Sequence, residues 1–328
     1  MTSKDYIISQ LERLNKSVDT FAINNNNELI DFIYRSLMSK KFRKYSIPEI
    51  NKTTIREEIK NRVENNEPLI IHYPFGGYKL WRFEESPEPD WAELFAMIYL
   101  IRWLKSILDI YEPGIHFVFR FDEVMIERLN NIPVKDTEQY RRIFTEIIEF
   151  IKKYSPSNID FEIFLERSRY ENYEAFEQEL QIEIENLRKE RELNNHKLTE
   201  SEIAMIDLNV NLKPGQVDDL LWREKNDLEH IAYYILQSKK KHERVHYEHE
   251  GIVAFPTYFE TPNIIPVGTT KNSIVKFWVG LGALEKRKES FMERVLSFKQ
   301  YENAEFEFEN ISIDGLEGKN FKKIRVLE

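Results

Sequence analysis

The sequence predicts an α/β fold on a mostly parallel sheet of Rossmann-like type. Three observations carry that expectation. Apolar runs of strand length stand at 68–74, 115–121 and 159–165. The stretches between them repeat apolar residues at helical spacing and are long enough to cross from one parallel strand to the next. Strands and helices alternating in this way close into a parallel sheet with right-handed crossovers.

Residues 1–66 read as a helical N-terminal segment. Tyr6, Ile7, Leu11 and Leu14 recur at helical spacing, as do Leu29, Phe32, Ile33 and Leu37, with the asparagines 24–27 as the loop between them. The core is expected over 67–170. Its first strand ends at Pro74 and enters Phe75-Gly76-Gly77-Tyr78-Lys79, where two residues without a Cβ let the chain bend sharply. A helix then starts behind the acidic cap Asp90, carries Trp91, Leu94, Phe95, Ile98, Ile101, Leu104, Leu108 and Tyr111, and stops at Pro113-Gly114. A strand at 115–121, a short helix at 124–129, a helix at 137–154 capped by Asp136 and a strand at 159–165 follow. Residues 171–250 read as a charged helical insertion with helices at 171–192 and 217–241. Residues 251–328 form a β-rich part that completes the core, with strands at 252–255, 274–279, 304–313 and 321–327 and a helix at 283–298.

Composition narrows the function. The chain has 47 basic and 57 acidic side chains, a formal charge of −10, which opposes binding to a phosphate backbone. No nucleic-acid partner is expected. The longest uncharged apolar run, 94–101, falls short of the roughly 20 residues of a membrane span. The first residues lack the pattern of a secretory leader, so a cytoplasmic protein without a membrane partner is expected. The absence of cysteine excludes disulfides and thiolate chemistry and leaves carboxylates, imidazoles, amines and hydroxyls. A homodimer is compatible with this composition.

Four segments could carry chemistry. His242-Glu-Arg-Val-His246, with His249 close by, has the spacing of a zinc motif, but a lysine triplet at 239–241 precedes it and would repel a dication. A solvated helix end is the expectation, with no metal and no cofactor. At the carboxyl end of the first strand, Gly76 and Gly77 let backbone amides approach a ligand, while Lys79 and Arg82 offer charge to a carboxylate or phosphate. A tight turn with two surface cations explains that segment equally well. Asp122, ending the second strand, could orient an amine, or it could simply cap the next helix. Asp90 and Glu93 have the spacing of a capping box, and Glu93 could also face the same pocket as Lys79. Finally, Gly268-Thr269-Thr270-Lys271 and Lys276 crowd hydroxyls and amines before an apolar run, as an anion site would.

Residues 89–93 (Pro-Asp-Trp-Ala-Glu), the following leucine-type helix, 110–114 (Ile-Tyr-Glu-Pro-Gly), the strand ending at Asp122, and Tyr140 together resemble the isocyanide synthase family, also described as pyoverdine and dityrosine biosynthesis proteins. The similarity covers about 68–150. It departs from the family pattern where Gly76-Gly77-Tyr78-Lys79 stands in place of a lysine-serine loop, and where Phe121-Asp122-Glu123 stands in place of a serine-aspartate-glycine strand end. The resemblance implies a Rossmann-like enzyme that converts the amino group of an amino acid to an isonitrile, with ribulose 5-phosphate as carbon donor and without a metal. It implies Asp122, Glu93 and Lys79 as catalytic residues, and Gly76, Gly77, Arg82, Thr269, Thr270, Lys271 and Lys276 as substrate- or phosphate-binding. Another small-molecule transferase on the same fold is one alternative, although the first strand lacks a G-x-G loop. A non-catalytic scaffold that uses its charged helices as a partner surface is the other.

Overall fold

A computed structural model describes residues 1–17, 23–43, 45–83, 88–170, 172–238, 251–256, 262–268 and 274–328. The helical segment contains α1 (Ser3–Glu12), α2 (Asn26–Leu37) and α3 (Glu49–Asn65). Strand β1 (Leu69–Phe75), the short α4 (Lys79–Arg82), α5 (Trp91–Leu108), β2 (Ile115–Phe121), α6 (Glu123–Arg128), α7 (Val134–Lys152) and β3 (Ile159–Leu165) follow in order. The charged insertion holds α8 (Tyr173–Leu193), α9 (Glu200–Asn209) and α10 (Leu220–Ser238). After it come β4 (Ile252–Phe255), β5 (Ile264–Pro266), β6 (Gly280–Arg287), β7 (Ser290–Ser297), α11 (Phe298–Asn303), β8 (Phe306–Asn310) and β9 (Lys323–Leu327).

The first sheet is parallel throughout, in the order β3-β2-β1-β4-β5. Strand order runs outward in opposite directions from β1, so the crevice at the carboxyl ends of β1 and β4 is the topological switch point, where open α/β sheets bind ligands. The α/β class with a parallel sheet is therefore as expected, and β4 and β5 from the C-terminal part complete that sheet. A second sheet, β7-β6-β9-β8, joins an antiparallel β6/β7 hairpin to a parallel β6/β9 pair and an antiparallel β8/β9 pair.

Helix α5 is the hub. It is apolar on every side, and among its residues only Tyr99, Arg102 and Ser106 escape full burial. A helix of that kind has to be enclosed, and α5 packs against α2, α7, β6 and the 274–279 turns. Alternation along β1 and β2 sends Tyr73, Phe75, Phe117, Phe119 and Phe121 to one face of the sheet. There they meet Phe144 of α7 and Phe277 in a continuous aromatic layer.

Several elements differ from expectation. The helix expected at 283–298 is the β6/β7 hairpin, turning at Lys288-Glu289. The strand expected at 274–279 is a pair of 3-10 turns broken at Lys276, which has non-helical backbone angles. Helix α7 begins three residues early, behind Pro133, which leaves Asp136 inside the first turn, where its charge suits the helix dipole. Helix α9 and strand β5 lie where no element was expected. Among the described residues, no helix is long and apolar enough to cross a membrane.

Candidate functional site at the carboxyl edge of the parallel sheet

At the end of β1 the chain leaves the sheet through Gly76 and Gly77. A Cβ on Gly76 would only touch the Trp278 indole, at 3.7 Å, whereas one on Gly77 would press on Leu80 at 2.8 Å and Ile126 at 3.0 Å. Close packing therefore explains the second glycine, and the first lies open beside an aromatic ring. Asp122 follows β2, and its backbone N–H reaches the Phe75 carbonyl at 3.4 Å. Its side chain, half-buried, makes no capping hydrogen bond to α6. Phe255, at the end of β4, stacks on Trp278 with ring centres 5.9 Å apart. The crevice between β1 and β4 is thus bordered by Gly76, Phe255 and Trp278, with Asp122 on the β2 side of the β1 end.

The second glycine turn comes to the same edge. Gly268 follows β5, two strands from β1 or roughly 10 Å across the sheet. Its φ of +126° is one an L side chain rarely adopts, and its N–H donates to the Phe42 carbonyl at 2.8 Å. The 274–279 turns bridge the two glycines, with Trp278 against Gly76 and Val275 against Gly268. Lys276 belongs to the same turns, is partly exposed and has no hydrogen bond or ion pair among the described residues. Thr269, Thr270 and Lys271 lie outside the described residues, as do His242, His246 and His249.

Beneath this edge lies a closed ionic cluster. The Lys79 Nζ donates to Asp90 Oδ1 and to both oxygens of Glu93, each at 2.8 Å. An ammonium has three N–H donors, so its hydrogen bonding is complete. Tyr140 of α7 donates its hydroxyl to Glu93 Oε1 at 2.7 Å, and Arg325 of β9 reaches Asp90 Oδ2 at 3.3 Å. The capping box is formed: Asp90 Oδ1 accepts from the Ala92 N–H at 3.0 Å, and Glu93 Oε2 accepts from the Asp90 N–H at 2.7 Å. Gly282 of β6 adds its N–H to Asp90 at 3.0 Å. Lys79, Asp90 and Glu93 are all 0% exposed.

The two carboxylates are pulled apart. Burial alone would raise Asp90, but Lys79 and Arg325 outweigh it and hold that carboxyl below its usual range. Burial dominates at Glu93 and, despite Lys79, pushes it up to about 7. The cluster is therefore close to shedding or taking one proton at neutral pH. Lys79 and Glu93, which the family resemblance implies as catalytic, are thus enclosed within this cluster with no exposed surface.

Arg82 points elsewhere. Its guanidinium donates to the Leu208 carbonyl and lies 5.9 Å over the Tyr78 ring. It borders a cavity of about 430 Å³ with Trp81, Phe83, Asp207, Phe298 and Tyr301. Arg120 lies on the face of the sheet opposite Phe119 and Phe121, donating to His72 Nδ1 at 3.0 Å.

No family profile matches the sequence, and no curated protein does. A solved structure does match in three dimensions: the PvcA protein from Pseudomonas aeruginosa, with a TM-score of 0.56 over 92% of this chain and 100% of that one. This chain is similar in fold to PvcA. At 15% identity the likeness to PvcA is one of fold alone.

Two groups at this edge had no local signal in the sequence: Arg325 and Gly282 meet Asp90 from 235 and 192 positions away. A second buried acid pair was also hidden. Glu123 accepts the N–H of Glu166 at 2.6 Å and of Arg167 at 2.8 Å, and burial pushes it up to about 7. Glu166 accepts the Tyr233 hydroxyl and so ties α10 to this end of the sheet. Among the described residues, no three His, Asp or Glu side chains are grouped to hold a metal ion.

Proposed function

We propose that the chain is an isocyanide synthase-like enzyme that converts the amino group of an amino acid to an isonitrile, with ribulose 5-phosphate as the carbon donor. The observation that carries this reading is the likeness in fold to PvcA along nearly the whole chain, joined to the sequence resemblance at 89–93, 110–114, Asp122 and Tyr140. The reacting amine attacks the ketone carbon of the sugar phosphate, and loss of water gives the imine. Each step needs a positioned acid or base.

In this reading Asp122 is the catalytic residue, since it stands at the carboxyl end of β2 with its N–H on the last residue of β1, beside the open turn at Gly76. Lys276 and the Gly268-Thr269-Thr270-Lys271 segment hold the phosphate, and the open backbone at Gly76 admits the substrate. Lys79, Asp90, Glu93 and Tyr140 act as positioning residues that fix the β1 turn against the start of α5. Purified protein incubated with ribulose 5-phosphate and a pool of amino acids should give the isonitrile infrared band. Asp122→Asn should lower its rate of appearance by at least about a hundredfold with thermal stability unchanged. No isonitrile from any amino acid, together with no thermal shift on adding ribulose 5-phosphate, would refute the reading and favour a scaffold.

A further inference from the structure

Beside the Gly268 end of the sheet edge, where the Phe42 carbonyl accepts the Gly268 N–H, the end of α2, the 40–42 turn and the second half of α5 enclose a depression of about 660 Å³. Its polar lining consists mainly of donors. Arg35, Lys41, Arg102 and Lys105 face it, with the hydroxyls of Ser36, Ser39 and Ser106. None of those three hydroxyls has a hydrogen-bond partner among the described residues. Glu28 is an acid on the wall, but its oxygens already accept from Asn24 and Asn25 at 3.0 to 3.1 Å. Carbonyls at the end of α2 are likewise taken, Leu37 by the Trp103 indole at 3.2 Å and Met38 by Arg43 at 2.9 Å.

The four cations are not equivalent. Arg102 donates to Gln10 and lies 3.7 Å from Glu293, and Lys105 pairs with Asp109. Arg35 makes one hydrogen bond, from Nε to the Asp31 carbonyl at 3.1 Å, which leaves its outer N–H groups open. Lys41 makes no hydrogen bond or ion pair among the described residues, and its Nζ lies 5.1 Å from the centre of the Phe42 ring. That ring is held edge-on by Tyr99 at 5.5 Å. Counting Glu28, Asp109 and Glu293 against the four cations leaves a local charge of +1 on a chain of −10.

We propose that this depression is a second binding site, for a small phosphate ester with a planar or apolar body. Arg35, Lys41 and the hydroxyls of Ser36 and Ser39 take the phosphate, whose three terminal oxygens suit donors converging from two elements. Phe42 takes the body. The site lies apart from the Lys79 cluster: Arg102 stands nine residues beyond Glu93 along α5, about 14 Å at 1.5 Å per residue. It does not depend on the isonitrile reading.

The test titrates the full chain with phenyl phosphate, inorganic phosphate and phenol, read by calorimetry. Phenyl phosphate should bind saturably and more tightly than inorganic phosphate, and phenol should not bind. The double substitution Arg35→Gln and Lys41→Gln, at two exposed side chains, should weaken phenyl phosphate by roughly tenfold or more with an unchanged circular dichroism spectrum. Phe42→Ala should abolish the preference for phenyl phosphate over inorganic phosphate. The proposal is overturned if neither phosphate binds saturably by about 10 mM, or if the double variant binds phenyl phosphate as the native chain does.

Discussion

Replacing Lys79 by methionine removes the one ammonium shared by two fully buried carboxylates. The consequences for Asp90 and Glu93 differ. Asp90 keeps Arg325 and the N–H groups of Ala92 and Gly282, whereas Glu93 keeps only neutral donors, Tyr140 and the Asp90 N–H. Glu93 then stays protonated to a higher pH, because the lysine that pulled it down is gone. In the native chain Glu93 rises from 4.5 to about 7 on folding. A raised carboxyl contributes most below its unfolded value and loses that contribution as pH climbs to the folded value, about 1.4 kcal/mol per pH unit. Native and Lys79→Met chains share that slope up to about pH 7. Above it the native slope from this group flattens while the variant continues to fall. The difference in unfolding free energy should thus be steady between about pH 5.5 and pH 7, then widen by about 2 kcal/mol by about pH 8.5. Its total there should be of the order of 3–5 kcal/mol, the usual cost of stranding one member of a buried pair. Urea unfolding followed by circular dichroism at those three pH values measures it. Adding Glu93→Gln to the variant should remove the widening. A penalty equal at all three pH values, or a double variant that declines with pH as steeply as Lys79→Met, would refute the reasoning.

Four further outcomes follow from the same contacts. Gly282→Ala puts a Cβ 2.3 Å from the Ala92 nitrogen and 2.6 Å from the Trp91 carbonyl carbon, and should destabilise by about 2–4 kcal/mol. Gly76→Ala, which meets only the Trp278 ring at 3.7 Å, should change stability by under about 0.5 kcal/mol, and thermal unfolding of the two variants side by side checks the contrast. Tyr140→Phe removes the hydroxyl given to Glu93 and should cost about 1–3 kcal/mol, read by urea unfolding; a loss below about 0.5 kcal/mol would contradict the cluster as described. Glu123, also raised to about 7 by burial, contributes stability that fades as pH rises from its unfolded range toward 7, so Glu123→Gln should flatten the melting-temperature profile over that interval.

Strands β1 to β3 and helix α5 were legible because each carries its own period and its own stop signal, such as Pro113-Gly114 after α5. The β6/β7 hairpin was not. Gly280 to Leu284 is buried on both faces, so no alternation appears, and the turn at Lys288-Glu289 lacks the Asn-Gly type of signal. The glutamates and lysines of 285–289 then read as a helix. The run Ile274–Val279 is apolar and short, a pattern that strand and tight helix share. Helix α9 was not expected although it carries a start signal, Thr199 and Glu202 at capping-box spacing, and the box is formed. At the edge itself, Asp90, Glu93 and Lys79 lie within one short segment and could be linked by inspection. Arg325 and Gly282 could not, because only the tertiary fold brings them there.

Those two distant partners give the cluster its meaning. Burying ions is costly, and well-packed apolar residues would stabilise the same space as well or better, so stability alone does not account for it. The ions are directional where apolar contacts are not. Lys79 sits directly after the open turn at Gly76 and Gly77, Asp90 and Glu93 begin α5, and Arg325 and Gly282 belong to the second sheet. One proton-balanced knot therefore sets where β1 ends, where α5 starts and how the second sheet meets both. The close approach of Gly282, which leaves no room for a Cβ against the first turn of α5, is the steric side of that same constraint. The position of the switch-point crevice is thus set by the C-terminal strands as much as by the parallel sheet that forms it. Substitutions in β6 or β9, far from Asp122 in sequence, act on the same edge through Asp90.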